Sequence, residues 1–358
     1  MGGLILLLSG AEWLVRGASR LAAFLGINPL IIGLTVVAFG TSSPELATSL
    51  QSSLIGKVDL AVGNVIGSNI FNILFILGLS AIITPLTVSR QLIKLDVPLM
   101  ILVSFMTLIF GLNGTISQIE GLILFLGIIF YNLFLISMAK KERKSKKDEF
   151  SKEYAFYEKR TTLQWLSNFL LVIAGLFMLI YGSNLFVEGS VKFAHLLGVS
   201  ELVIGLTIVA GGTSLPEVAT SVMASIKGER EIAVGNLVGS NIFNILSVLG
   251  LTALITPDGI AVAPAALTFD IPVMLTVALA CLPIFISGGK ISRWEGLLFF
   301  GYYLIYALYM VLKSTNHDML PFFSFMFWLF IIPLTSLTVI IVFIFSIRKK
   351  RGNCKSQN

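Results

Sequence analysis

Apolar runs of about twenty to twenty-eight residues, separated by short polar stretches, recur along the whole chain. They place spans at 2–22, 28–54, 60–86, 94–113, 116–138, 163–186, 200–226, 232–256, 268–287, 291–312 and 320–347. As α-helices rising 1.5 Å per residue, runs of this length cross a hydrocarbon layer of about 30 Å. Two of the runs break the apolar pattern at their middle. Residues 33–50 read GLTVVAFGTSSPELATSL and residues 205–222 read GLTIVAGGTSLPEVATSV, so Glu45 and Glu217 lie at the depth where charge is most expensive. A charged side chain there costs about 2.5–3.5 kcal/mol on insertion scales.

These two stretches are copies of each other. A shift of 172 residues aligns them with 13 of 18 positions identical, and aligns AVGNVIGSNIFNIL (61–74) with AVGNLVGSNIFNIL (233–246) with 12 of 14 identical. A shift of 174–175 pairs DVPLM (96–100) with DIPVM (270–274), and ISQIEG (116–121) with ISRWEG (291–296). The duplication covers ten spans, five per copy. Five is odd, so the second copy enters the membrane upside down. Inverted repeats with interrupted helices at matching positions point to a midplane site that opens alternately to either side. The expected fold is therefore an all-α polytopic membrane protein of two inverted five-helix repeats plus an eleventh C-terminal helix. Its parts are a first repeat over 1–139, a charged linker over 140–162, a second repeat over 163–313, and an extra helix with a basic tail over 314–358.

Composition agrees with that reading. Hydrophobic residues make up 56% of the chain and charged residues 12%, where soluble domains run to about 25% charged. The net charge of +6 does not suggest nucleic acid, because the basic residues flank the spans. Residues 140–160 carry nine of them, which marks that loop as cytoplasmic and puts the N-terminus outside. In this scheme 22 of the 25 Lys and Arg face the cytoplasm, leaving only Lys57, Lys192 and Lys313 outside. A multi-pass protein of the cell membrane is expected, with the C-terminal tail cytoplasmic. The apolar N-terminus lacks an A-x-A-like cleavage site and reads as the first span. Cys281 and Cys354 have neither disulfide nor zinc spacing.

The chemistry gathers at the two interrupted runs. Pro44 and Pro216 lack an N–H, which frees the carbonyls of Gly40 and Gly212 four residues back. Those carbonyls, the neighbouring Thr and Ser hydroxyls and one Glu per turn make a cluster of hard oxygen donors. In the next span Ser68 and Asn72 lie four apart on one helical face, as do Ser240 and Asn244. Asn69 and Asn241 read as helix-to-helix glue, and Asp96 and Asp270, each just before a Val-Pro or Ile-Pro, as helix N-caps. Glu120 and Glu295 recur near the start of a span, where the helix dipole favours negative charge. There is no midplane cluster of His, Cys or Met, which disfavours soft metals. Oxygen donors of this kind suit Ca²⁺, which takes about six to eight, and, shared out singly, Na⁺.

GTSxPE followed by GNxxGSNxFN, present twice at this spacing, resembles the α-repeats of the cation/Ca²⁺ exchanger superfamily, most nearly its prokaryotic sodium/calcium exchangers. The resemblance covers about residues 4–312. It implies that Glu45 and Glu217 are bidentate Ca²⁺ ligands, helped by the carbonyls of Thr41 and Thr213. One Na⁺ position would use Ala38, Thr41, Ser42, Ser68 and Glu45, and its mirror image Ala210, Thr213, Ser214, Ser240 and Glu217. Asn72 and Asn244 would line the centre, and the first and sixth helices would slide across a rigid core. The chain departs from the family pattern at Asn244, where the K⁺-dependent branch carries Asp. It departs again in its first span, which starts some eight residues late against its partner, and in the eleventh span.

The function expected is secondary antiport of Na⁺ against Ca²⁺. Ca²⁺/H⁺ antiport is the rival, and K⁺-dependent exchange a more distant one. A Thr-Ser and Ser-Asn cage beside each Glu favours Na⁺, because a proton needs no cage. An intramembrane hydrolase would require Ser with His or two Asp at midplane, and an ATP-driven pump a P-loop or phosphorylation domain. Neither set is present in the sequence. The expected partners are Ca²⁺, Na⁺ and the lipid bilayer, with no catalytic residues, cofactor, nucleotide, nucleic acid or obligate protein partner.

Overall fold

A computed structural model describes residues 2–145, 162–197, 210–286 and 288–315. Residues 146–161 of the expected 140–162 linker, the first part of the second interrupted run, and the expected eleventh span with its tail lie outside the described residues. Within them the chain is helical almost throughout, and it follows the apolar runs.

Helix α1 (Gly2–Leu25) is followed at once by α2 (Pro29–Thr41) and α3 (Ser43–Leu54). Asn28 starts α2 by accepting the Leu30 N–H on its side chain at 2.7 Å, with Pro29 in the first turn where a missing N–H is harmless. Helix α4 (Val58–Ile83), α5 (Leu92–Gly111) and α6 (Gln118–Ser145) complete the first copy. The second copy contains α7 (Thr162–Leu196), a short turn at Ala210–Gly212, α8 (Leu215–Ile226), α9 (Arg230–Ile255), α10 (Ala266–Ile286) and α11 (Arg293–Ser314). Among the described residues seven helices are long and apolar enough to cross a membrane, and α2 with α3 makes an eighth span bent by 41°. Helix α1 is 24 residues long and carries Glu12, Arg16 and Arg20.

The two copies are wound into each other. Helix α1 runs antiparallel to its counterpart α7, with Gly3 against Gly182 and Gly10 against Gly175. Helix α6 of the first copy lies on α9 of the second, and α11 lies on α4. The small residues ending the ISxxEG motifs make those contacts: a Cβ on Gly121 would stand 2.7 Å from the Leu254 nitrogen and 2.8 Å from the Gly250 oxygen. Small residues let backbones meet where lipid supplies no hydrophobic drive between helices. The centre is α4 and α9, with 67% and 83% of their apolar window buried, against 28% for α6 and 17% for α11. Two antiparallel two-residue ribbons tie the copies together outside the helices. They pair β1 (Leu86–Thr87) with β4 (Lys290–Ile291), and β2 (Thr115–Ile116) with β3 (Ile260–Ala261).

Several helices widen to a π turn at matching positions of the two copies. These are Asn72–Leu77 with Asn244–Leu249, and Leu92–Asp96 with Ala266–Asp270. The second pair corrects the reading of Asp96 and Asp270 as N-caps. Both have helical backbone and neither caps a turn; the wide turn carries the helix past Pro98 and Pro272, whose missing N–H it accommodates. Asp96 is buried and accepts the Tyr131 hydroxyl at 2.9 Å, and Asp270 accepts that of Tyr306 at 3.4 Å. Glu120 and Glu295 do act at helix starts, each taking the N–H and hydroxyl of the serine three residues before it.

Replacing Gly121 by Val is expected to force α6 off α9 and to lower stability by about 1–3 kcal/mol. Thermal unfolding of the purified protein reads this directly. Gly301→Ala, where a Cβ meets nothing within 4 Å, should leave the midpoint unchanged.

Candidate functional site

The site is built at the break between α2 and α3 and at its twin before α8. Ser42 (φ −84°, ψ 8°) and Ser214 (φ −88°, ψ 7°) leave the helix in the same conformation, each two residues before a proline. That turn puts Glu45 and Glu217 on the inner face of the following half-helix, where both are fully buried. The buried face of α3 is polar throughout, consisting of Glu45, Ser49, Ser52 and Ser53.

The hydrogen bonds cross between the copies. Ser42 donates its hydroxyl to Glu217 at 2.9 Å, and Ser214 donates to Glu45 at 2.9 Å. Thr41 donates to the Asn236 side-chain oxygen at 3.1 Å, and Thr213 to that of Asn64 at 3.3 Å. Ser214 also reaches Ser68, at 3.1 Å. The serine beside each break therefore donates to the other copy's carboxylate. Neither copy alone assembles the site.

Four asparagines close the centre. Asn72 donates to the Asn241 side-chain oxygen at 3.0 Å and Asn244 to that of Asn69 at 3.1 Å. Asn69 and Asn241 exchange bonds with each other's backbone carbonyl at 3.3 and 3.2 Å. The glue reading of Asn69 and Asn241 thus describes their contacts, and it is they that fix Asn72 and Asn244. Both outer residues begin a π turn, which displaces them from the regular helical ladder; π turns often mark functional positions.

What remains unbonded defines what the site can do. One oxygen of Glu45, one of Glu217, the side-chain oxygens of Asn72 and Asn244 and the Ser240 hydroxyl are buried without a hydrogen-bond partner. An unpartnered buried polar atom costs about 1–3 kcal/mol, more if charged, so this set is poised for a ligand that brings positive charge. All these atoms are oxygen, which suits hard cations.

Of the residues named from sequence, Ser42 bonds Glu217, Glu45 and Ser68 share Ser214, Asn72 and Asn244 are linked through Asn241 and Asn69, and Thr41 and Thr213 reach Asn236 and Asn64. Ala38 is buried one turn before the break, and its carbonyl accepts the Ser42 N–H at 3.0 Å. Ala210 is in the turn before Ser214. One freed carbonyl is taken. Ser183 of α7 donates its hydroxyl to the Gly212 oxygen at 2.7 Å, which removes that oxygen from the free set. The matching position in α1 is Ala11, with no hydroxyl to offer. Sequence reasoning also passed over Asn64 and Asn236. Asn64 donates to the Glu45 carbonyl at 3.1 Å and to Ser49 at 2.9 Å, and Asn236 donates to Ser221 at 3.0 Å. Their identity in both copies was the available signal.

The chain is similar to several known proteins. The family model for sodium/calcium exchanger proteins matches residues 1–137 and 167–312. The putative antiporter CaxA of Alkalimonas amylolytica is 40% identical over 313 residues, covering 85% of this chain and 97% of that protein. The sodium/calcium exchanger MaX1 of Methanosarcina acetivorans is 35% identical over 336 residues, covering 86% and 95%. Among solved structures, the sodium-calcium exchanger NCX_Mj soaked in Na⁺ without Ca²⁺ superposes with a TM-score of 0.73 at 33% identity, over 85% of this chain and 95% of that one.

Ser183→Ala is expected to strand the Gly212 carbonyl and to destabilise the protein by about 1–3 kcal/mol. Ser183→Thr, which keeps the hydroxyl, should restore most of that loss. Thermal unfolding of the three proteins side by side checks it.

Proposed function

The chain belongs to the sodium/calcium exchanger family, and from that premise we propose that it is a secondary antiporter moving Ca²⁺ against Na⁺ through the site between the two copies. One observation carries the reading. Two buried carboxylates, each held by the other copy's serine, keep one oxygen free beside two free asparagine oxygens. A divalent ion offsets both carboxylate charges at once, and Na⁺ ions offset them one at a time. Occupation by one kind of cation leaves too few oxygens for the other, which is the physical basis of exchange.

In this reading Glu45 and Glu217, with the carbonyls of Thr41 and Thr213, bind Ca²⁺. Na⁺ is held by Ala38, Thr41, Ser42, Ser68 and Glu45 on one side and by Ala210, Thr213, Ser214, Ser240 and Glu217 on the other, with Asn72 and Asn244 lining the centre. The Ser214–Ser68 and Ser214–Glu45 bonds support a first Na⁺ set that also borrows Ser214 from the second copy. In the same reading, ten spans in two inverted sets of five would put this site near the midplane. The distribution of Lys and Arg supports a cell-membrane protein with its N-terminus outside and the loop at 140–160 inside. Proton coupling is the second reading, favoured only by the burial of both glutamates.

Purified protein in vesicles loaded with Na⁺ should take up Ca²⁺ down the outward Na⁺ gradient. Glu45→Gln and Glu217→Gln should each reduce the flux at least a hundredfold, and wild-type flux in either would remove the reading. Because position 244 is Asn, uptake should also be indifferent to K⁺. A rate that collapses when K⁺ is withdrawn would contradict that assignment.

A further inference from the structure

Inverted copies predict matched contacts on the two faces of the molecule, and the described residues break that match. Helix α1 lies along α8, whereas its twin pairing, α7 with α3, amounts to no more than a glancing touch. The closed pairing is bonded where α8 turns into α9. Lys227 meets Glu12 of α1 at 2.5 Å, and Ser19, two turns further along α1, donates to Glu229 at 2.5 Å. The 172-residue shift carries Glu12 and Lys227 onto Asn184 and Ile55, and Ser19 and Glu229 onto Val191 and Lys57. Neither twin pair can form an ion pair or a hydroxyl–carboxylate bond. The bonds are therefore available to one face only.

We propose that Glu12–Lys227 and Ser19–Glu229 latch α1 against the α8–α9 turn and so hold the site closed on that face at rest. The inference rests on the alternating-access reading above, in which α1 and α7 slide across the rigid core. The four residues lie outside the oxygen cluster, so they position the helix that covers the site and do not bind the cation. The face they close is the one assigned to the cytoplasm by Lys and Arg, which leaves the resting site facing outward. Glu12 and Lys227 are each about two-fifths exposed, so water screens their pairing. Its loss should shift the balance of states about twofold to fivefold and not abolish either state.

Spin labels on the full chain in lipid nanodiscs test this without any transport assay. One pair, at Arg16→Cys and Ile226→Cys, reports the latched face. A second pair, at Phe193→Cys and Ile55→Cys, reports the other; both are set in a Cys354→Ser background, Cys281 being buried. The latched chain should give a single short distance for the first pair and a long one for the second. Glu12→Gln and Lys227→Gln should each raise the long-distance population of the first pair about twofold to fivefold, with the second pair shortening in step. The exchange Glu12→Lys with Lys227→Glu should bring back the short distance, and Ser19→Ala should weaken it separately. Distances unmoved by the two neutral variants would overturn the latch and leave the exchange reading untouched. Vesicles without Na⁺-driven uptake, but with distances that respond, would remove the exchange reading instead.

Discussion

Two carboxylates buried in a helical bundle, with no positive side chain paired to either among the described residues, are the constraint on which the structure turns. Glu45 and Glu217 are fully buried, and a bare charge at that depth costs several kcal/mol. Among the described residues no Lys or Arg pairs with either carboxylate. The chain supplies one serine hydroxyl to each and leaves the second oxygen free. In the proposed reading a cation in place offsets this cost, and cations are told apart by how many oxygens each requires.

That constraint explains why the copies interlock. Each break offers a Thr-Ser pair, and both hydroxyls reach across to the opposite copy's Glu and Asn. The crossing needs close contact between α2 and α9, and Gly235 and Gly239 supply it: a Cβ on either would meet α2 backbone atoms at 2.8–2.9 Å. The ribbons β1–β4 and β2–β3 and the packing of α6 on α9 and α11 on α4 hold the frame around the breaks. Helices α1 and α7 form a separate antiparallel pair laid against that frame. At Gly40 and Gly212 the space for a side chain is already filled by Leu176 and Val187 of α7, so α7 presses directly on both breaks.

The repeats, the span positions, the inversion and the two glutamates were legible because they depend on composition and self-similarity alone. The five-per-copy count follows from alignment and needs no coordinates. What stayed hidden depends on partners far apart in sequence. Nothing near Ser42 announces Glu217, 175 residues away, and the motif reads equally well with the serine serving its own turn. Ser183 looked like one more small residue in a long apolar helix until its hydroxyl met the Gly212 carbonyl. Asp96 shows the opposite failure. Acid-before-proline is a sound N-cap signal, but a π turn carries the helix through it, and the choice between the two is made by packing against Tyr131.

The central claim is that Na⁺ and Ca²⁺ compete for a single buried set of oxygens. Equilibrium binding of radioactive Ca²⁺ to the purified protein, titrated with Na⁺ at fixed pH and then with pH at fixed Na⁺, tests it without a membrane or a gradient. The account predicts that Na⁺ displaces Ca²⁺ completely, with a Hill coefficient above one, because more than one Na⁺ fills the space of one Ca²⁺. Ca²⁺ binding that ignores Na⁺ and is released only by acid would contradict it, and would make Glu45 and Glu217 carriers of protons.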